Sequence, residues 1–146
     1  MRPPYLDAEV TEALDINGDN VAHLYPFVSA PPASGVASVD WTFFDADWLA
    51  LRAYASYQYM GKRNGVVITE PRRDLTALFP FGIYNARLLA SGLRFSGGEL
   101  ELALWGKNLA DKEYPVFAID NTPQADRSVL WGEPRTVGLD LTYRYY

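Results

Sequence analysis

Asp15, Asn17 and Asp19 have the spacing of the first oxygen ligands of a helix-flanked calcium loop, and nowhere else does the chain so directly invite a metal-ion reading. The register then fails. Asn20 stands where such a loop needs glycine and Pro26 where it needs a bidentate acid, so a loop turn is expected instead. The polar run from Asp120 to Asp126 could also touch a cation, but its Asn121 and Pro123 favour a turn. Glu99 and Glu101 share one face of a strand-like segment, about 7 Å apart, a separation that some glycosidase carboxylate pairs also have. Glycosidase pairs flank a sugar from opposing walls. These two stand side by side next to a turn, so a wetted strand face is expected. His23 is the single histidine and there is no cysteine, which leaves no partner for an imidazole metal site or a thiol nucleophile. No catalytic, cofactor-binding or metal-ligating residue is assigned, and no enzyme is expected. One charged group has a possible binding role. Lys62, Arg63, Arg72 and Arg73 gather in a single link, where they could steer an anionic ligand through their field, or simply be solvated beside Glu70 and Asp74.

The elements that must carry these residues are β-strands. From Glu99 to Asn108, Leu100, Leu102, Leu104 and Gly106 alternate with Glu101, Ala103, Trp105 and Lys107. From Arg135 to Tyr145, Val137, Leu139, Leu141, Tyr143 and Tyr145 alternate with Gly138, Asp140, Thr142 and Arg144 in the same way. Comparable segments are read at Val36 to Phe44, Trp48 to Met60 and Ile83 to Phe95, and a fainter one within Tyr5 to Leu14, which makes about six strands. Tight turns at Asp45 to Asp47 and Ser96 to Gly98 alternate with long links near Asn17 to Gly35, Gly61 to Phe79 and Ala110 to Pro134. Short and long connections alternate in this way in outer-membrane barrels.

The clearer strands run about nine to thirteen residues, where ~9–11 tilted residues cross a bilayer. Alternation alone does not say which face meets lipid, since a small soluble barrel gives the same pattern with its apolar side inward. Aromatic placement favours the membrane. Phe43, Phe44, Trp48, Phe95, Tyr143 and Tyr145 fall near one set of strand ends, and Tyr57, Tyr59, Phe81 and Tyr84 near the other, as two girdles. The set Asp40, Arg52, Gln58, Asn85, Arg87, Glu101, Lys107, Asp140 and Arg144 would then line the wet side and form cross-strand pairs. Net charge is -5 and no basic stripe interleaves with aromatics, which argues against nucleic acid. No run of apolar residues is long enough for a transmembrane helix.

The segment Leu104-Trp105-Gly106-Lys107-Asn108-Leu109-Ala110-Asp111-Lys112-Glu113-Tyr114, followed by Gly132-Glu133-Pro134-Arg135-Thr136-Val137-Gly138-Leu139, resembles the carboxy-terminal end of TonB-dependent outer-membrane receptors. Looser similarity runs back through Tyr84 to Leu88 and Val39 to Phe43, so it covers the chain from about Asn17. The resemblance implies an all-β, antiparallel transmembrane barrel of which this chain supplies a carboxy-terminal part. A complete barrel of this type has about 22 strands around a plugged lumen, and neither a plug nor a signal peptide is read here. The chain is therefore expected to be a fragment, either a truncated gene or an excised piece. The resemblance further implies active uptake of a siderophore, vitamin or carbohydrate-type ligand, energised by the TonB complex through the missing amino-terminal region. The expected partners are outer-membrane lipid, the remainder of the barrel and plug, and the barrel assembly machinery, which the last strand with Leu139, Leu141, Tyr143 and Tyr145 would engage. The family motif would be carried by Asn108, Leu109, Asp111, Lys112, Tyr114, Gly132, Glu133, Pro134 and Arg135. The family usually ends on one aromatic residue; Tyr145 matches that position and Tyr146 is extra. The competing expectation is a soluble antiparallel β-barrel that binds a ligand.

Overall fold

A computed structural model describes residues 9–25, 27–65, 76–120 and 127–146. The chain is all-β, with no α-helix among the described residues and a 3-10 turn at Ala22–Leu24. Among the described residues nine strands form: β1 (Ser34–Ala46), β2 (Leu49–Met60), β3 (Arg63–Asn64), β4 (Ala77–Leu78), β5 (Phe81–Phe95), β6 (Gly98–Lys107), β7 (Pro115–Ile119), β8 (Ser128–Trp131) and β9 (Thr136–Tyr145). Five of them make one antiparallel sheet in the order β1-β2-β5-β6-β9, so every strand lies beside the next long strand in the sequence. Two compact units result, one of residues 1–35, 59–81 and 113–132, the other of residues 36–58, 82–112 and 133–146.

The sheet follows from the alternation, but with one parity change. Ala86, Leu88 and Ala90 of β5 pair with Gly106, Leu104 and Leu102 of β6. Past a bulge the partners become Leu93 with Leu100 and Phe95 with Gly98. Gly92 sits in the bulge at φ 82°, a left-handed backbone that suits glycine. The bulge returns Leu93 and Phe95 to the apolar side that uniform alternation would have taken from them. β6 and β9 then run in register without interruption from Gly98–Tyr145 to Lys107–Thr136. Ser96 and Gly97, at φ 45° and 78°, make the two-residue turn between β5 and β6, the pattern of a type I′ hairpin. The Tyr143 hydroxyl donates to Phe95 O at 3.1 Å or Ser96 O at 3.0 Å, tying β9 to this turn.

The sheet encloses almost nothing. Among its residues only Ala103 and Phe81, the latter at the very start of β5, are buried hydrophobic side chains, while Val39, Trp41, Phe43, Leu88, Leu104, Val137, Leu139 and Leu141 all stand exposed. The other unit has a small packed core of Ala22, Thr76, Ala77, Leu78, Phe81 and Ala118. There the β3–β4 and β7–β8 hairpins occupy stretches expected to be long loops. Two-residue strands, and a Pro115–Phe117 irregularity in β7, leave no readable period in the sequence.

The sixth strand, expected within Tyr5 to Leu14, is not found. Residues 5–8 lie outside the described residues, and 9–14 make only the isolated Leu14–Asn20 bridge. Asn20 is the reason. Its Oδ1 accepts from Ala13 N at 3.1 Å and Ala22 N at 3.0 Å, and its Nδ2 donates to Thr11 O at 3.1 Å, so the segment closes on itself.

Gly138 tests the packing of the polar face. It pairs with Trp105, and a Cβ added at Gly138 would fall within the Trp105 indole, whose Nε1 donates to Asp140 at 3.1 Å. Gly138→Val should displace the ring and cost roughly 1–3 kcal/mol, as overpacking does. Gly35→Ala, with nothing near the added atom, should cost far less. Near-ultraviolet dichroism and denaturant unfolding of both variants provide the check.

Candidate functional site

Asn108, Leu109, Asp111, Lys112, Glu133, Pro134 and Arg135 of the carboxy-terminal motif gather at the ends of β6 and β9. Asn108 follows β6 at φ 47°, a left-handed backbone that asparagine tolerates better than most residues, and it is 2% exposed. Its Nδ2 donates to Lys112 O at 2.9 Å and Glu133 O at 3.0 Å, and its Oδ1 accepts from Lys112 N at 2.9 Å. One amide thus joins two stretches of chain far apart in sequence. Asn108 N donates to Asn85 Oδ1 at 3.0 Å, and Leu109 N donates to Tyr84 O at 2.9 Å, which moors the same corner to β5.

Asp111 adds a second tie. At φ 51°, it donates its N–H to Asn108 O at 2.8 Å. Its Oδ1 accepts from Arg135 N at 3.1 Å, and its Oδ2 lies 3.5 Å from the Arg135 guanidinium. Pro134 O accepts from Thr136 Oγ1 at 3.2 Å as β9 begins. Leu109 lies over Gly106, where an added Cβ would meet the Leu109 side chain.

In the other unit Tyr114 plays the comparable part. Its carbonyl accepts from Gly132 N at 2.8 Å, and its ring packs on Phe81 with centroids 4.4 Å apart. A Cβ at Gly132 would fall inside the Tyr114 ring, so this close approach requires glycine. The motif therefore builds a clasp. The Asn108 amide and the Asp111 carboxylate are both engaged with backbone or motif partners, which is structural work.

The polar face carries the expected cross-strand pairs. Arg52 donates to both carboxylate oxygens of Asp40 at 2.6 Å, in the fork geometry of an arginine–carboxylate pair. Arg87 lies 3.8 Å from Asp140, and Arg144 lies 3.9 Å from Glu101. Asn85 Nδ2 donates to Ser56 Oγ at 3.4 Å. Glu99 accepts from the Tyr146 hydroxyl at 3.2 Å. Glu99 and Glu101 are thus engaged side by side, not opposed.

Of the basic group only Lys62 and Arg63 fall among the described residues. Arg72 and Arg73 lie outside the described residues, and Lys62 is exposed. Arg63 is half-buried, donates to Val116 O at 3.4 Å and sits over the Phe81 ring at 5.6 Å, and burial pulls its guanidinium below the usual range. The Asp15 stretch is a turn. Asp15 Oδ1 accepts from Asn17 N at 2.8 Å and Asp19 N at 2.9 Å, and these bonds, that of Asp19 foremost, hold its carboxyl below the usual carboxylate range. Asn121 to Asp126 lie outside the described residues, and His23 sits in the 3-10 turn. Among the described residues no group of acids and imidazole could hold a metal ion.

In the last strand Leu139, Leu141, Tyr143 and Tyr145 are 69%, 66%, 44% and 77% exposed on one face. The part of Asn85 in the clasp was not evident from the sequence, where it reads only as another polar residue of an alternating strand. No family model matches the chain, and neither a curated protein nor a solved structure matches it significantly.

The clasp makes a graded expectation. Asn108→Ala removes the side-chain bonds and puts alanine at positive φ, so it should cost about 2–4 kcal/mol. Asn108→Gly removes the same bonds but keeps the backbone, and should cost about 1 kcal/mol less. Denaturant midpoints, with hydrogen exchange at the Lys112 amide, measure both; equal loss would show that the left-handed turn contributes nothing.

Proposed function

We propose that this chain is part of the wall of a TonB-dependent outer-membrane receptor, contributing carboxy-terminal strands and no catalysis. One observation carries the reading: a long antiparallel sheet, joined strand to next strand, has an apolar face that this chain leaves uncovered. In water that face is a liability, whereas against hydrocarbon it needs no protein cover. The strands run 10 to 15 residues, enough for a tilted crossing.

The opposite face suits a wet lumen. Asp40 with Arg52, Arg87 with Asp140 and Arg144 with Glu101 neutralise one another along it. The clasp at Asn108 supports the same reading from a different direction, because it gives the family-like motif a physical role, that of closing the stem of a long link between two wall strands. Among the described residues no helix is long and apolar enough to cross a membrane, a fact without bearing on strands.

In this proposal the chain transports nothing alone. A plug and the remaining wall, coupled to the TonB complex, would perform uptake of a siderophore, vitamin or carbohydrate-type ligand, and the last strand would be presented to the assembly machinery. The soluble-barrel alternative lacks a supporting observation, since it requires the apolar face to be enclosed.

Strand parity tests the reading. With the chain refolded into lipid vesicles, Leu139→Arg puts a charge in the hydrocarbon and should destabilise by roughly 2–4 kcal/mol near the midplane. Asp140→Arg faces the wet side and should cost less, losing its bond to Trp105 and its Arg87 pair. Unfolding from vesicles and protease protection of β9 measure both. A tolerated Leu139→Arg with a damaging Asp140→Arg would reverse the faces and sink the proposal.

A further inference from the structure

β9 ends the sheet, and its outer edge has no partner strand among the described residues. A single hydrogen bond tells which backbone groups that edge offers. Tyr146 N donates to Gly97 O at 3.3 Å, one step past the Gly98–Tyr145 pair. In an antiparallel ladder hydrogen-bonded pairs alternate. The even-numbered residues of β9 therefore exchange groups with β6, and Val137, Leu139, Leu141, Tyr143 and Tyr145 turn their N–H and C=O groups outward. Such an edge is a template for another strand.

Direction narrows the partner. The sheet has five strands, an odd number, so β1 and β9 run the same way. Copies joined head to tail would put β1 beside β9 in parallel. Two β9 strands related by a two-fold axis run antiparallel, the slightly more stable ladder.

The side chains of β9 complement themselves in one register. If Thr142 faces Thr142 on the axis, Leu141 opposes Tyr143 and Leu139 opposes Tyr145 through the outward backbone groups, and Asp140 opposes Arg144 twice. Apolar stays with apolar and polar with polar, and both charge pairs are attractive. Asp140 and Arg144 are half-exposed, with side chains 51% and 56% accessible, so each can take a second partner beyond Arg87 and Glu101. Centring the axis on Leu141 instead would set Asp140 against Thr142 and Arg144 against Gly138, with no charge pair. β1 offers no such match: its charges are Asp40 and Asp45, both acidic, and Asp40 is held by Arg52.

We propose that, where no other strand occupies this edge, the chain pairs with a second copy of itself through β9, in the register centred on Thr142. The pair does not rest on the membrane reading. A two-fold axis sets the strand ends of the copies in opposite senses, so the pair is distinct from a receptor wall and competes with it for the edge.

The chain contains no cysteine, which makes single-cysteine scanning clean. The full chain is refolded from urea into a mild non-ionic detergent, which covers the apolar face and leaves the edge open. Opposed residues of a non-hydrogen-bonded pair have Cα atoms about 4.5 Å apart, inside the disulfide range of about 4.4–6.8 Å. On mild oxidation Thr142→Cys should become mostly covalent dimer. Asp140→Cys and Arg144→Cys should each cross-link poorly alone and well as an equimolar mixture. Cross-linking of Thr142→Cys no better than that of Asp140→Cys alone would overturn the register.

Charge reversal gives an independent measurement by sedimentation equilibrium. Asp140→Arg alone and Arg144→Asp alone each oppose like charges, and each should weaken the dimer about tenfold, the size of two pairs reversed in sign. Mixing the two variants restores both attractions and should recover the affinity, which a merely structural role for either residue would not do. A mixture no tighter than its components, or a monomeric parent chain, would overturn the proposal.

Discussion

A β-sheet is stable only when its apolar face is taken out of water and its edges are paired or protected, and among the described residues the sheet β1-β2-β5-β6-β9 has neither a cover for that face nor a partner at its β1 and β9 edges. Its strands alternate so regularly that one face collects leucine, valine and aromatic side chains while the other collects charge pairs. Past Phe81 at the start of β5, a single buried hydrophobic residue, Ala103, is all that this arrangement encloses. The packed core is elsewhere, in the unit of β3, β4, β7 and β8, where Leu78, Phe81 and Ala118 are buried. Whatever stabilises the sheet must come from an apolar medium, from neighbouring strands, or from both.

Within that constraint the local devices are consistent. Gly92 and its bulge keep the apolar side chains of β5 on one face. Gly138 leaves room for the Trp105 indole, and Ser96 with Gly97 turns the chain tightly into β6. Asn108 and Asp111 hold the stem of the longest link closed, so that β9 enters beside β6 in register. Each device costs little by itself. Together they fix which residues face which side, the property on which a membrane wall or an edge-to-edge pair would depend.

Much of this was legible in the residue order. Period two marked five strands to within a few residues, because each of those strands has a face that differs sharply from the other. Of the expected sixth strand, the described part at residues 9–14 forms none, because its alternation was faint and Asn20 gave its backbone a nearer partner. The bulge could not be read, since Ser91-Gly92 merely looks like a weak point in a strand. The short hairpins escaped because β3 and β4 pair only two residues and the Pro115–Phe117 irregularity breaks the period of β7. The motif around Asn108 stood out as a pattern, yet its mechanism rests on a left-handed backbone and on Asn85, which no spacing rule discloses.

The most direct measurement asks which face meets hydrocarbon. Trp41 and Trp105 report on opposite faces: Trp41 stands 64% exposed beside Phe43 on the apolar side, and Trp105 is bonded to Asp140 on the polar side. Variants in which Trp41 or Trp105 is the only tryptophan, the other of the two and both Trp48 and Trp131 being replaced by phenylalanine, are refolded into vesicles with bromine on the acyl chains and separate the alternatives. The account predicts blue-shifted, strongly quenched emission from Trp41 and nearly unquenched emission from Trp105. Quenching of Trp105 in preference to Trp41, or of neither, would contradict it.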